Sequence, residues 1–164
     1  DLVRSRGLGD VYKRQVLNHK MVIGVHDIVV HDYGPGRRIV SLHAEVPYNK
    51  DMMEVHDLMD HIEMRLMEEY HCEATIHMDP VVTDDEEVNE TRKEVFNIVK
   101  KYDKTLSVHD FRMVKGPTHT NVIFDLVIPY GNDYEPEKIV KDLKQKIKDE
   151  MQGKHYAVIR VDRF

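Results

Sequence analysis

Between Val22 and Val46 the apolar and polar positions alternate as in β-strands, on either side of a Gly34-Pro35-Gly36 turn. Two strands are expected there, Val22 to Tyr33 and Arg37 to Val46. In the second, Val40, Leu42, Ala44 and Val46 share one face while Ile39, Ser41, His43 and Glu45 share the other, so the pleat sends His43 to the polar side. If Gly34 and Pro35 alone form the loop, His26 lies directly opposite His43; a three-residue loop slips this by one. The period then changes. Met52, Val55, Met59, Ile62 and Leu66 recur at helical spacing behind Asp51 and Glu54, a capping-box pattern with Asp in the Ser/Thr place, and predict an amphipathic helix over 52–70. His56, Asp60 and Glu63 fall together on its other face. The five methionines of this segment read as core filler and adaptable packing rather than as thioether ligands. A strand from Ala74 to Met78 closes the unit, and Pro80 ends it.

The same succession then recurs. Ser107-Val108-His109-Asp110 repeats Gly24-Val25-His26-Asp27, Gly116-Pro117 repeats Gly34-Pro35, and Val127-Ile128-Pro129-Tyr130 repeats Glu45-Val46-Pro47-Tyr48, at an offset of 82 to 83 residues. The last strands correspond as well, Ala74 to Asp79 and Ala157 to Asp162. Four features in matched order mark a tandem duplication. In the second copy, Thr83 with Glu86 opens a helix to about Tyr102, with Val88, Val95, Val99 and Tyr102 on one stripe and the acidic run Asp84 to Glu87 at the positive end of its dipole. Strands are expected at Ser107 to Val114 and Val122 to Ile128. A helix from Pro136 to Met151, with Gly153 just beyond, precedes a final strand from His155 to Val161.

Each unit is thus α-β-β-α-β and the class is α+β, with helices covering one face of a small antiparallel three-stranded sheet and the other face left free. The units span 16–82 and 83–164, with Val16 to Met21 as the end of a lead-in helix. Residues 1–15, DLVRSRGLGDVYKRQ, show neither period and have no counterpart in the second copy. They are expected to be disordered or foreign to the fold.

Composition narrows what such units do. The formal charge of −6 and pI near 6.0 speak against a nucleic-acid surface and suit cations. The single cysteine, Cys72, excludes an internal disulfide and reads as a small buried residue. No run approaches the roughly 18 to 20 apolar residues of a membrane helix, and no signal peptide is visible, so the chain as written is expected to be soluble. Histidine is in excess, 11 of 164, and six of the 11 (His26, His31, His43, His56, His61 and His77) lie in the central part of the first copy.

A histidine among valines on a strand must find a partner or a metal when it turns inward. His26, His43, His56, His77 and Asp79 supply imidazoles and a carboxylate from two hairpin strands, a helix and the last strand, a donor set that suits Zn²⁺ and similar divalent ions. His77 and Asp79, at i and i+2, point to the same side. The second copy keeps the apolar framework but has Asp125 at the position of His43, Arg160 at that of His77 and Lys141 near that of His56. Lysine and arginine there would repel a cation, so these histidines are not a requirement of the fold. His109 and Asp110, which persist, read as structural, a buried imidazole bonded to its neighbouring carboxylate.

Gly-Val-His-Asp at 24–27, His-Asp-Tyr-Gly-Pro-Gly at 31–36, Ser-Leu-His-Ala-Glu at 41–45, His56 in Glu-Val-His-Asp and Ile-His-Met-Asp-Pro at 76–80 together resemble the cytoplasmic C-terminal domain of cation diffusion facilitator transporters. The resemblance covers about residues 20–82; the second unit is similar to an extension found in some bacterial members and matches only in framework. It implies tandem ferredoxin-like, metallochaperone-like units at the cytoplasmic face of the cell membrane, below a six-helix part that exchanges Zn²⁺, or a related ion such as Mn²⁺, Fe²⁺ or Co²⁺, for protons. It also implies a homodimer through the first unit, no nucleic-acid partner and no enzyme activity, with metal held near the dimer contact by residues that fall on His26, His43, His56, His77 and Asp79. A free-standing metal-binding or metallochaperone-like protein is the alternative. A zinc hydrolase would need an open coordination position and a general base, and neither a nucleophile elbow nor an HExxH helix is present.

Overall fold

The computed structural model describes residues 2–83, 85–129 and 135–163, with side chains from Gly7 to Asp162; Asp84 of the acidic run and Tyr130 of the repeat lie outside the described residues. The element order is α1 (Leu2–Leu17), β1 (Gly24–Asp32), β2 (Arg38–Pro47), α2 (Met52–Tyr70), β3 (Cys72–Val82), α3 (Glu86–Tyr102), β4 (Ser107–Lys115), β5 (Thr120–Ile128), α4 (Pro136–Glu150) and β6 (His155–Arg163). The fold is α+β and the α-β-β-α-β order occurs twice. The chain divides into compact units at Asp1–Pro80 and Val81–Phe164.

In the first unit the strand order is β1-β2-β3, with β1 and β2 antiparallel. Val40, Leu42, Ala44 and Val46 of β2 are buried against Val55, Met59, Ile62 and Leu66 of α2, as their two periods require. Asp51 caps α2 by accepting from the backbone N–H of Met53 and Glu54 at 2.9 and 3.1 Å, and His71 ends the helix at φ 50°. Cys72 is buried and donates to the Leu66 carbonyl at 3.4 Å.

Four expectations change in this unit. Of the five methionines of α2 only Met59 is core; Met52, Met53, Met64 and Met67 are exposed, because the stripe of Val55, Met59, Ile62 and Leu66 alone fills the buried face. Of the two expectations for residues 1–15, disorder does not hold: residues from Leu2 onward are helical in α1. Leu8, Tyr12 and Val16 stand at i, i+4 and i+8 and pack on the first core, with Tyr12 and Val16 fully buried; Gly7, Gly9 and the charged residues around them hide this stripe. The lead-in helix ends at Leu17 rather than Met21. Pro80 does not end β3, which runs on to Val82; Val81 and Val82 already belong to the second compact unit and pair there with Val114 and Met113 of β4.

In the second unit β4 pairs antiparallel with β5, but β5 and β6 are parallel. The expected antiparallel sheet is therefore mixed, since α4 returns the chain to the same end before β6 begins. Its core joins Val88, Val95, Ile98 and Val99 of α3, Phe124 and Leu126 of β5, and Ile139, Leu143 and Ile147 of α4. Asp85 rather than Thr83 caps α3, accepting from the Glu87 N–H at 2.7 Å.

Candidate metal centre

The hairpin register brings the first two histidines together by two compensating shifts. Near the turn, Asp32 pairs with Arg38 and His31 with Ile39, the register of a three-residue Gly34-Pro35-Gly36 loop with Gly34 at φ 110° and Gly36 at φ 76°. A β-bulge between His26 and Val29 then inserts one residue in β1, with Asp27 left-handed at φ 49°, and restores the pairing of His26 with His43. The second hairpin repeats the bulge between His109 and Arg112, with Asp110 also at φ 49°. This accounts for the repeated His-Asp pair. Asp tolerates the left-handed conformation, so the dipeptide marks a backbone feature common to both units. His109 itself is exposed and meets Ser107 Oγ at 3.3 Å, so the expected buried imidazole bonded to Asp110 is not what the structure holds.

On the face of the first sheet away from the helices, Asp79 is the hub. Its Oδ2 lies 3.1 Å from His26 Nε2 and 2.9 Å from His43 Nδ1, and its Oδ1 lies 3.3 Å from His77 Nε2. The His26 and His43 rings are 5.0 Å apart and those of His43 and His77 4.7 Å. His26 and Asp79 are buried, His43 is partly exposed and His77 is open to solvent. His26, His43 and Asp79 each present a donor atom within 4.8 Å of the others. Donors about 2.0 Å from a tetrahedral ion stand about 3.3 Å apart, so the spacings of 2.9 and 3.1 Å need only small adjustments to receive one. The residues fit a borderline divalent ion. His56 stands apart, with a side chain 61% exposed and Nδ1 3.7 Å from Asp60 Oδ2 on its own helix.

Glu45 belongs to this site although its spacing alone gives it only a polar-face position. It is fully buried, and its Oε1 lies 2.9 Å from His26 Nδ1. The sign of its presence is Gly24, its cross-strand partner: a Cβ there would sit 2.8 to 3.0 Å from the Glu45 carboxylate atoms. The second copy has Ser107 and Val127 at these two positions. Glu63, on α2, accepts from the Ile76 N–H at 2.6 Å and so fixes the strand that carries His77 and Asp79.

Burial alone would lower the pKa of His26, but hydrogen bonds to Asp79 and Glu45, and their charges, outweigh it and raise the value from 6.5 to about 9. Burial conversely favours a neutral Asp79, and hydrogen bonds from His26 and His43 hold its pKa below 3.8. At neutral pH the Nδ1–H of His26 therefore donates to Glu45 and its Nε2–H to Asp79. A proton holds the place where a metal would have to bind.

The profile of the cytoplasmic domain of cation efflux proteins matches the chain twice, over residues 10–81 and 88–164. An uncharacterized transporter of Methanocaldococcus jannaschii is 41% identical over 73 residues, 44% of this chain and 25% of that protein, so the chain spans about a quarter of this relative. Two solved structures concern the mode of action of CzrB, described as a zinc transporter. One shows 25% identity and a TM-score of 0.39, covering 46% of this chain and 89% of that one. The other, a zinc form, shows 23% identity and a TM-score of 0.40, covering 47% and 84%. Matched in both of its units, the chain belongs to the cation efflux family, whose cytoplasmic domain it carries in two copies.

Proposed function

We propose that this chain is the metal-sensing, dimerising cytoplasmic part of a transporter that moves Zn²⁺ or a related divalent ion, such as Mn²⁺, Fe²⁺ or Co²⁺, in exchange for protons. The family is one of transporter domains rather than enzymes. No described helix is long and apolar enough to cross a membrane. The chain spans about a quarter of its transporter relative, and the proposal assigns transport itself to a membrane-spanning part of such a protein.

The observation that carries the reading is the convergence of His26, His43 and Asp79 on one open sheet face. His77 extends that cluster. His56 has the place of a donor turned outward, available to a second ion or to a second copy of the chain. Two acidic protomers repel each other; an ion held at their contact reduces that repulsion and favours the dimer, which shifts the population seen by the membrane part. The ion would supply positive charge at the site, while Glu45 and Glu63 keep the donors in place.

Titration with Zn²⁺ alone, read by calorimetry with the oligomer mass measured alongside, tests this. The wild-type chain is expected to bind and to tighten as a dimer, and His43→Ala with His77→Ala to lose binding by about 100-fold or more. A monomer indifferent to Zn²⁺ would contradict the reading.

A further inference from the structure

The second unit repeats the layout of the first face with different chemistry. His109 pairs across the sheet with Asp125 as His26 does with His43, and Asp125 in turn lies beside Arg160 on β6. Asp125 is only 3% exposed. A carboxylate this deep requires a cation or several donors. Arg160 provides the cation: its Nη2 donates to Asp125 Oδ2 from the position that corresponds to His77 in the first copy. Burial opposes the guanidinium charge, and Asp125, Asp162 and Asp110 favour it. Asp162 is the counterpart of Asp79. The pair that positions His26 is gone, Gly24 and Glu45 being replaced by Ser107 and Val127, and His109 is accordingly exposed rather than held between carboxylates.

We propose that Arg160 is a tethered cation, its guanidinium doing in the second unit what a divalent ion does in the first, so that this unit is held in the ion-loaded condition and does not respond to metal. This rests on the reading of the first face as a metal site. The duplicated domain then has one half that senses the ion and one that is set permanently. The choice of side chain fits the task. Arginine keeps its charge at every physiological pH and matches a carboxylate with a planar fork, so the charge at Asp125 needs no ion from solution.

Amide hydrogen exchange over β5 and β6, read with and without saturating Zn²⁺, tests the proposal. The full chain is used with His43→Ala and His77→Ala together as the parent, so that the first unit contributes no metal response. Arg160→Ala is expected to speed exchange in these strands about tenfold or more, since a buried carboxylate loses its partner. Arg160→Lys keeps a cation and should stay near the parent. Arg160→His should exchange as fast as Arg160→Ala without Zn²⁺ and return to the parent rate with it, because the new imidazole joins His109, Asp125 and Asp162 around an ion. Should Arg160→Ala fail to fold, the other two variants carry the same test. Parent-like exchange in Arg160→Ala, or an Arg160→His variant that Zn²⁺ does not slow, would overturn the proposal. If Zn²⁺ leaves β1 and β2 unchanged in a chain with His43 intact, the first-unit reading fails instead, whatever β5 and β6 do.

Discussion

His26 is the residue on which the chemistry of the first face turns. With its pKa raised to about 9 by the carboxylates on either side, it is protonated at neutral pH, and an ion can reach Nε2 only by displacing a proton. Binding of Zn²⁺ is therefore expected to release about one proton from this residue, and affinity to rise about tenfold per pH unit until pH approaches 9. Calorimetry in buffers of different ionisation enthalpy measures the proton directly. In the metal-free chain the sign runs the other way. A value above the ordinary 6.5 means that His26 contributes its full stability below pH 6.5 and loses it as pH rises through about 9, a loss on the order of 3 kcal/mol. Asp79, held below 3.8, contributes above that pH and loses its contribution as pH falls through its lowered value. Denaturant midpoints across pH should show both limbs. Glu45→Gln keeps the volume but removes one of the charges on His26, and is expected to weaken Zn²⁺ binding by about 10- to 100-fold while making it less dependent on pH.

At the level of elements, the hairpin shows both what the sequence makes legible and what it hides. The strands, α2 and the duplication follow from alternation, helical spacing and repeated motifs. The pairing of His26 with His43 does not, because it depends on a three-residue loop and a bulge that offset each other. The left-handed Asp27 has its clue in the recurrence of His-Asp, which reads equally well as a chemical motif. Asp27→Val should cost about 1 to 2 kcal/mol by denaturant unfolding, and Asp27→Gly much less. Glu45 is hidden for a related reason: its place on the polar face of β2 gives no hint that His26 would bury it. The exposed methionines of α2 escape the same logic, since composition counts methionines but only the phase of the helix says which ones turn inward. Gly24 is the counterpart in backbone terms of Glu45. Gly24→Ala places a Cβ under 3.0 Å from that carboxylate and is expected to cost about 1 to 3 kcal/mol and to weaken Zn²⁺ binding.

In the molecule as a whole, duplication separates framework from function. Both units keep the apolar core and the bulge, while the second keeps only His109 of the imidazoles and places Arg160 against Asp125. A chain that needed its histidines for folding would have needed them twice. In the proposed function, the acidic balance of −6 keeps two copies apart until a cation is bound between them. The measurement that bears most directly on this account is the titration of the full chain with Zn²⁺ by calorimetry, with oligomer mass read in parallel, for wild type, His43→Ala with His77→Ala, and His109→Ala. Loss of binding and of the dimer response in the first variant, with both retained in His109→Ala, is the predicted result. Equal binding in all three would show that the first face is not the metal site, and the account of the two units as sensor and fixed counterpart would fall with it.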